Sequence, residues 1–250
     1  MKGLLTKAIG WIGMGCLVTR FVLADGVVEY QVDQGTYEGY YLSAGDQAPL
    51  VMLIHDWDGL TGYEVKRAEM LQAWGYSVFA ADLFGKGIRP TEVKDKRQHT
   101  GALYKDREKM RRLLNGALQA AQRAGGQTSN AVAMGYCFGG AAVLEWARSG
   151  ESLKGFASFH GGLSTPEGQN YSQTKSKVLV MHGTADAVIS MDQFAQLASE
   201  LEQAKVPHEM VSYGGAPHAF TVFDSDKYRE EADQKSWALF QQFLKEEVQK

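Results

Sequence analysis

The sequence predicts an α/β fold in which a mostly parallel central sheet is flanked by helices and begins with an antiparallel hairpin. Apolar runs such as Pro49–His55 and Lys177–His182 are continuous rather than alternating, which is typical of strands buried on both faces. Such runs alternate with helical segments, and this alternation predicts parallel strands joined by helices. Because no repeat or linker interrupts the pattern, we expect residues 25–250 to form a single domain.

Residues 1–24 are typical of a secretory signal peptide. Two lysines precede an apolar core of eleven residues at Ala8–Val18, and a small residue at Ala24 marks a cleavage site. Eleven residues are too few for a stable membrane span, so no membrane insertion is expected after cleavage. Arg20 is atypical for a signal, and a buried N-terminal helix is the alternative. The sequence therefore predicts export, to the periplasm, with cleavage after Ala24.

The bulk composition excludes some classes of protein. Cleavage would leave 226 residues and change the formal net charge from −3 to −6. That length suits one domain with a sizeable core, and the acidic balance gives no basic surface for nucleic acid. Cys137 would be the only cysteine left, so no internal disulfide could form. An unpaired thiol in an oxidising compartment favours a chemical role over a packing role. The oligomeric state stays open.

The N-terminal half contains four segments with strand character and two with helical character. A hairpin is expected at Val27–Val32 and Thr36–Leu42, turning at Asp33–Gly35. The other elements of this half follow in chain order: a strand at Pro49–His55, a helix at Tyr63–Trp74, a strand at Ser77–Asp82 and a helix at Lys105–Ala124. Between the last two, Phe84–Tyr104 is polar and is expected to be irregular.

The C-terminal half continues the alternation. Ser190 and Gln193 form a capping box at the start of one predicted helix. The elements expected here are strands at 130–135, Gly155–His160, Lys177–His182 and His208–Tyr213, and helices at 141–146, Ser190–Lys205 and Tyr228–Lys250.

The segment Gly135–Gly140 has the pattern of a nucleophile elbow, with cysteine as the nucleophile. A strand-like run ends in Gly-Tyr-Cys-Phe-Gly-Gly and continues at once into a helical run. Glycines are required because a sharp strand-to-helix turn leaves no room for side chains beside the nucleophile. The helix N-terminus would place partial positive charge on the Cys137 sulfur and favour its thiolate. A small buried cysteine that only packs well is the alternative.

Three reactive side chains follow three separate strands, namely Cys137, Asp186 and His218. The carboxyl ends of parallel strands meet at one edge of the sheet, so we expect these side chains to lie together. Nucleophile, acid and histidine follow one another in the chain order of the α/β-hydrolase triad. His218 would take the thiol proton and Asp186 would fix its tautomer. Each residue alone is weak support, but the three together with the elbow predict a catalytic site.

The motifs around these residues resemble the dienelactone hydrolase family of α/β-hydrolases. The likeness rests on Gly135–Gly140, on His182-Gly-Thr-Ala-Asp186 and on Pro217-His218-Ala-Phe220, and it extends from about Val27 to the closing helix. It implies an α/β-hydrolase fold. It also implies transfer of an acyl group from a small ester or lactone to Cys137, followed by hydrolysis of the thioester.

Stabilisation of the oxyanion is expected from two backbone N–H groups. In α/β-hydrolases these come from the residue after the nucleophile, here Phe138, and from a loop that follows an earlier strand, here the N–H of Trp57. The family usually has a glutamate in that loop which helps to control the nucleophile. This chain has Asp56, one methylene shorter, so nucleophile activation and a simple turn or cap role both stay open for it.

The substrate contacts are the least determined part of the site. Dienelactone hydrolases of the chlorocatechol pathway grip a substrate carboxylate with arginines, and this chain has Lys86 at the nearest match and Val222 near the other. Lysine cannot make the same bidentate contact, so dienelactone itself is not the expected substrate. Lys86 and Arg89 would attract an anionic substrate or belong to a solvated loop.

Several aromatic residues are candidates for an apolar acyl pocket. Tyr136 and Phe220 are the expected substrate contacts, together with Trp57; Trp74 is explained equally well by core packing. No cofactor is expected. No metal is expected either, because His55, His160 and His182 do not have metal-ligand spacing.

Two other functions remain as alternatives. The chain could be a non-catalytic protein that binds a small ligand on a hydrolase fold. It could also be a thiol sensor in which Cys137 is oxidised reversibly.

Overall fold

A computed structural model describes residues 26–249. Within them eight strands form one sheet: β1 (Gly26–Val32), β2 (Gly35–Leu42), β3 (Pro49–Ile54), β4 (Ser77–Ala81), β5 (Gln127–Tyr136), β6 (Gly155–Phe159), β7 (Lys177–Gly183) and β8 (His208–Tyr213). The helices are α1 (Gly62–Ala73), α2 (Val93–Lys105), α3 (Arg107–Arg123), α4 (Phe138–Arg148), α5 (Met191–Gln203) and α6 (Glu230–Val248). No helix in this part of the chain is long and apolar enough to cross a membrane. The predicted signal peptide lies outside the described residues and stays a prediction.

The sheet has the predicted architecture. Its strand order is β1-β2-β4-β3-β5-β6-β7-β8. β1 and β2 form the antiparallel hairpin, and β2 pairs antiparallel with β4. All remaining neighbours, from β4 across to β8, are parallel. The carboxyl ends of β5, β7 and β8 therefore lie at the same edge of the sheet, as the triad prediction requires.

The apolar run of β3 is continuous because both faces of the strand are buried. Leu50, Met52 and Ile54 belong to the core on one side of the sheet, where α3 and α4 pack. Val51 and Leu53 belong to the core on the other side, under α1 and α6. Since successive side chains point to opposite faces, a strand covered on both sides has no polar positions.

The prediction of an irregular segment over Phe84–Tyr104 is confirmed for residues 84–92. It was wrong for the rest, because α2 occupies Val93–Lys105. Only Thr100 and Leu103 of α2 are buried, so the helix carries no apolar stripe from which it could be recognised. The predicted helix at Lys105–Ala124 is α3, and it begins after Asp106, whose carboxylate accepts a hydrogen bond from the Lys109 N–H at 2.8 Å.

Candidate active site

The turn from β5 into α4 holds Cys137 in a strained backbone conformation, with φ 51° and ψ −110°. A Cβ atom at Gly135 would lie 2.3 Å from the Gly139 carbonyl carbon, and one at Gly139 would lie 2.2 Å from the Ile54 carbonyl oxygen. Only glycine fits at these two positions. The sharp strand-to-helix turn expected from the sequence is therefore present, and it presents the sulfur at the carboxyl edge of the sheet.

The three predicted side chains lie in one hydrogen-bonded row. The Cys137 Sγ is 3.1 Å from His218 Nε2, and His218 Nδ1 is 2.8 Å from Asp186 Oδ2. The Asp186 side chain is fully buried, whereas the His218 ring is about one-fifth exposed. Solvent or a small ligand can therefore reach the sulfur end of the row, while the carboxylate end is enclosed.

Asp186 is held as a carboxylate by its neighbours. Its Oδ1 accepts hydrogen bonds from the N–H groups of Val188 at 2.8 Å and Ile189 at 2.9 Å. Burial acts in the opposite direction, but the hydrogen bonds from His218 and Ile189 hold the pKa of Asp186 below its ordinary value. An ionised Asp186 accepts the Nδ1 proton of His218 and leaves Nε2 free to accept a proton from sulfur.

The resting site favours the Cys137 thiol. Burial raises the pKa of this thiol well above its ordinary range, and the negative charge of Asp56 raises it further. A hydrogen bond from the Phe138 N–H lowers the pKa but does not offset these effects. The prediction that the helix N-terminus favours a thiolate is therefore outweighed by burial and by nearby carboxylates.

Asp56 lies at the centre of a small acidic cluster beside the elbow. Its side chain accepts a hydrogen bond from the Asp58 N–H at 3.0 Å, which is the contact of a turn residue. Burial raises the pKa of Asp56 well above its ordinary value, and Asp58 and Glu64 add to the shift. Thr61, and not Asp56, is the N-cap of α1. Asp56 therefore has a turn role, and it also lies close enough to Cys137 to shift the thiol pKa.

The two expected oxyanion donors are the backbone N–H groups of Phe138 and Trp57. The Phe138 N–H faces the Cys137 sulfur. Trp57 lies in the loop after β3, half-buried, with Lys96 Nζ 5.1 Å from its ring centroid. The role of the Trp57 N–H stays a prediction.

Two of the expected substrate contacts, Tyr136 and Phe220, lie away from an accessible surface. Tyr136 and Phe220 are completely buried in the core beneath α1 and α6, so neither ring can touch a ligand in this structure. Trp74 packs against Trp237, with ring centroids 4.9 Å apart. Lys86 is exposed and forms an ion pair with Glu29 of the hairpin.

The Arg89 guanidinium is engaged in contacts within the protein that hold its own loop in place. It donates to the Leu60 carbonyl oxygen and lies near the carboxylates of Asp82 at 3.8 Å and Glu38 at 3.9 Å. The loop interpretation is therefore favoured for both Lys86 and Arg89.

A cavity of about 190 Å³ lies beside the elbow. Its lining residues include Tyr104, Arg107, Ala141, Gly162 and Ile189. Ala141 donates its N–H to the Cys137 carbonyl oxygen at 3.2 Å, and the Tyr104 ring centroid is 5.5 Å from that of Phe138. A larger cavity of about 550 Å³ lies between β8 and α6. Neither cavity is lined by a triad residue, and the smaller one adjoins the elbow through Ala141.

A cluster of charged groups lies beside the smaller cavity. Glu145 is completely buried and faces three guanidinium groups: Arg111 at 2.5 Å, Arg148 at 2.9 Å and Arg107 at 3.6 Å. One carboxylate against three cations leaves the cluster with a net positive charge. Arg107 and Arg148 line the cavity, and Arg107 makes the longest of the three contacts with Glu145.

Sequence reasoning considered His160 only as a metal ligand and did not single out Thr221. Both residues are completely buried next to the triad. His160 Nε2 is 2.8 Å from Thr221 Oγ1, and the centroid of its ring is 5.4 Å from that of His218. No spacing pattern marks this pair, because β6 and the loop after β8 meet only in the folded chain. Among residues 26–249 no group of three or more His, Cys, Asp or Glu side chains could hold a metal ion.

Comparison with known proteins gives one family. Residues 38–248 match the family described as the dienelactone hydrolase family. A dienelactone hydrolase-like promiscuous phosphotriesterase from metagenomic libraries is 27% identical, with a TM-score of 0.82 over 88% of this chain and 97% of its own. The structure named m3DLH is 28% identical, with a TM-score of 0.83 over 89% and 97%.

A more distant structure shares the fold alone. Thermogutta terrifontis esterase 2, phosphorylated by paraoxon, is 19% identical, with a TM-score of 0.63 over 90% of this chain and 95% of its own. No curated protein matches the sequence.

Proposed function

This chain belongs to the dienelactone hydrolase family, and from that premise we propose that it hydrolyses a small carboxylic ester or lactone through Cys137. The observation that carries the proposal is the row of contacts from the Cys137 Sγ to His218 at 3.1 Å and from His218 to Asp186 at 2.8 Å. A nucleophile within hydrogen-bond reach of a base, with the base oriented by a carboxylate, is the arrangement of covalent acyl transfer. The strained backbone of Cys137 supports the same proposal, since strain of this kind is concentrated at functional sites.

The first step forms a thioester. Because the resting thiol holds its proton, His218 Nε2 takes that proton as the sulfur attacks the substrate carbonyl carbon. The N–H of Phe138, and that of Trp57, would stabilise the negative charge that develops on the carbonyl oxygen; each such donor contributes about 3–4 kcal/mol in measured enzymes. His218 then gives the proton to the departing alkoxide, and the C–O bond breaks.

The second step releases the acid. A water molecule gives a proton to His218 Nε2 and attacks the thioester carbonyl carbon. The C–S bond breaks, the sulfur recovers the proton from His218, and the carboxylic acid leaves. Asp186 holds the ring in one orientation through both steps.

The test is the initial rate on short p-nitrophenyl esters and small lactones, before and after treatment with iodoacetamide. We expect Cys137→Ala and His218→Ala each to lower kcat by at least about a thousandfold, and Asp186→Asn by a similar factor. Cys137→Ser is expected to be weakly active, because the site is arranged for sulfur.

In the full chain, with residues 1–24 retained, Cys16→Ser is the matched control, since it removes the other cysteine. Its rate and its sensitivity to iodoacetamide should equal those of the wild type. Turnover that survives complete alkylation of Cys137 would show that another group is the nucleophile. No turnover on any ester or lactone, together with a thiol that alkylates rapidly, would favour the ligand-binding or thiol-sensor alternatives.

The cavity beside the elbow is the proposed acyl pocket. Among its lining residues, Tyr104, Ala141 and Ile189 suit a short apolar chain. Arg107, which also lines it, suits an anionic group at the end of that chain. We therefore expect p-nitrophenyl hemisuccinate to have a higher kcat/KM than p-nitrophenyl butyrate, which has the same chain length and no charge.

Arg107→Gln should reduce this preference about tenfold, chiefly through KM, as expected for a lost ionic contact. Arg112→Gln is the control on the same helix, because Arg112 pairs with Asp33 at the surface and should leave the ratio of the two rates unchanged. Equal rates on the two esters in the wild type would exclude Arg107 as an anion contact.

Phosphotriester hydrolysis is a second candidate activity. It is favoured by the 27% identity to the dienelactone hydrolase-like promiscuous phosphotriesterase. Paraoxon turnover by the wild type, lost in Cys137→Ala, would establish it. A single burst of p-nitrophenol without turnover would show that paraoxon only inactivates the enzyme.

A further inference from the structure

The loop that carries His218 is fixed to the rest of the molecule on both sides of that residue. On the N-terminal side, the Gly215 N–H donates to Thr184 Oγ1 at 2.8 Å, and the Ala216 carbonyl oxygen accepts from the Ala185 N–H at 3.0 Å. On the C-terminal side, the contacts converge on Thr221, three residues after His218. Thr221 is completely buried.

Thr221 contacts three residues from two segments that are distant in the sequence, α1 and the end of β6. Its carbonyl oxygen accepts from Arg67 Nη2 of α1 at 2.8 Å. Its hydroxyl lies 2.8 Å from the Tyr63 hydroxyl and 2.8 Å from His160 Nε2, which follows β6. The Thr221 hydroxyl is thus the single polar contact among the described residues that joins the His218 loop to the His160 ring.

Arg67 also supports this group of contacts. Its guanidinium can only donate, and its Nε donates to the Tyr63 hydroxyl at 3.3 Å. The Tyr63 hydroxyl lies within hydrogen-bond distance of both the hydroxyl and the carbonyl oxygen of Thr221, at 2.8 Å and 3.3 Å. Arg67, Tyr63, Thr221 and His160 are therefore linked by one continuous set of hydrogen bonds.

The His160 ring lies against the catalytic base. Its centroid is 5.4 Å from that of His218, with the ring planes at 67°. The Phe220 ring also packs against His160, with ring centroids 5.4 Å apart. Burial and the neighbouring His218 lower the pKa of His160 well below its ordinary value, so His160 presents a neutral ring to His218.

We propose that Thr221 and His160 are positioning residues for the catalytic base: the hydroxyl of Thr221 holds the His160 ring against His218 and keeps His218 Nε2 within reach of the Cys137 sulfur. This inference rests on the proposed function of the triad. Neither residue touches the substrate. Loss of the hydroxyl should therefore reduce the chemical step and leave substrate binding unchanged.

The test compares Thr221→Val with Thr221→Ser. Valine keeps the branched shape and removes the hydroxyl, whereas serine keeps the hydroxyl and removes a methyl group. We expect Thr221→Val to lower kcat about tenfold or more with KM within about twofold of the wild type, because small displacements of catalytic groups have effects of this size. Thr221→Ser should restore kcat to within about threefold of the wild type.

Thr174→Val is the matched control. Thr174 is also buried, and its hydroxyl donates to the Ala147 carbonyl oxygen at 2.8 Å on a part of the fold that does not contact His218. Its kcat and KM should equal those of the wild type. Equal losses in Thr221→Val and Thr221→Ser would assign the effect to packing and overturn the proposal, as would wild-type kcat in Thr221→Val.

Two further measurements test the positioning role of Thr221 and His160. If Thr221→Val does not fold, His160→Phe tests the proposal, because phenylalanine keeps a ring against His218 but cannot form a hydrogen bond with Thr221. A wild-type kcat in this variant would overturn the proposal. The rate of Cys137 alkylation by iodoacetamide, followed by mass spectrometry of the Cys137 peptide, needs no substrate.

This rate should fall several-fold in Thr221→Val and recover in Thr221→Ser, because a displaced His218 cannot assist loss of the thiol proton. An unchanged alkylation rate in Thr221→Val would contradict the positioning role. A wild type that turns over no ester, with the alkylation pattern as expected, would overturn the proposed function and leave the positioning role in place.

Discussion

At the scale of single residues, the backbone of Cys137 is strained. A φ of 51° with a ψ of −110° is unfavourable for any residue with a side chain and costs on the order of 1–3 kcal/mol. The fold imposes this conformation through the close contacts at Gly135 and Gly139. The strained conformation places the sulfur at the carboxyl edge of the sheet. It lowers the stability of the folded chain by the amount of the strain.

This strain predicts an unusual order of stability between two variants. At ordinary positions alanine is more stable than glycine by about 0.5–1 kcal/mol. At residue 137 we expect Cys137→Gly to be more stable than Cys137→Ala by about 1 kcal/mol, since glycine relieves the strain. Urea denaturation measures both free energies of unfolding.

Gln234, which is exposed in α6, provides the control position for this comparison. There Gln234→Ala should be more stable than Gln234→Gly. The same order at residue 137 would show that its backbone is not strained.

At the scale of elements, the start of α1 is stabilised by a buried carboxylate. Thr61 and Glu64 form a capping box in which Glu64 Oε2 accepts from the Thr61 N–H and from Thr61 Oγ1, both at 2.8 Å. Glu64 is completely buried, and burial raises its pKa to about 7. The capping box gives hydrogen-bond partners to backbone N–H groups at the start of α1. Because the pKa of Glu64 is raised, the same residue makes the stability of the protein depend on pH.

The sign of this dependence follows from linkage. Between the ordinary pKa of glutamate, 4.5, and about 7, folded Glu64 holds a proton that the unfolded chain has lost, so stability falls as pH rises. We expect Glu64→Gln, which can still cap the helix, to become more stable relative to the wild type as pH rises from 5 to 8. The gain should be on the order of 3 kcal/mol at most, measured by urea denaturation at each pH.

Glu108→Gln supplies the comparison, because Glu108 lies exposed in the first turn of α3. Its stability relative to the wild type should hardly change over the same range. A constant difference between Glu64→Gln and the wild type from pH 5 to 8 would rule out a raised pKa at Glu64.

At the scale of the whole molecule, one buried ion pair joins α1 to α6. Arg67 Nη2 lies 2.5 Å from Asp233 Oδ1, and the side chains are 0% and 7% exposed. The two residues are 166 positions apart in the sequence. The same guanidinium also holds the Thr221 carbonyl oxygen, so the packing of the first and last helices is connected to the loop that carries His218.

Breaking this pair should be strongly destabilising. Arg67→Met would leave the buried Asp233 carboxylate with the Tyr228 hydroxyl at 3.2 Å but without a cation beside it, and breaking a buried ion pair in this way costs about 3–5 kcal/mol. The double variant Arg67→Met/Asp233→Asn should recover part of that loss. The free energy of unfolding in urea measures both.

Arg112→Met serves as the surface control, because Arg112 and Asp33 are each about half exposed. It should change stability by less than about 1 kcal/mol. A loss of the same small size in Arg67→Met would show that the buried pair does not hold α1 and α6 together.

Much of the fold and the main features of the site could be predicted from the sequence because their causes are local. Continuous apolar runs marked β3 and β7 as strands buried on both faces, and a capping box marked the start of α5. The pattern Gly135–Gly140 predicted the elbow, because only glycine tolerates such close backbone contacts. Cys137, Asp186 and His218 could be placed together because each follows a parallel strand.

Only the tertiary structure decided the features that depend on which surfaces meet. It showed α2 as a helix although only two of its residues are buried, and it placed Tyr136 and Phe220 in the core. Burial in the folded chain raises the pKa of the Cys137 thiol, and folding brings His160 to Thr221. Burial, pKa and contacts between distant segments arise from the packed arrangement of the whole chain, so they leave no periodic or spacing pattern in the sequence.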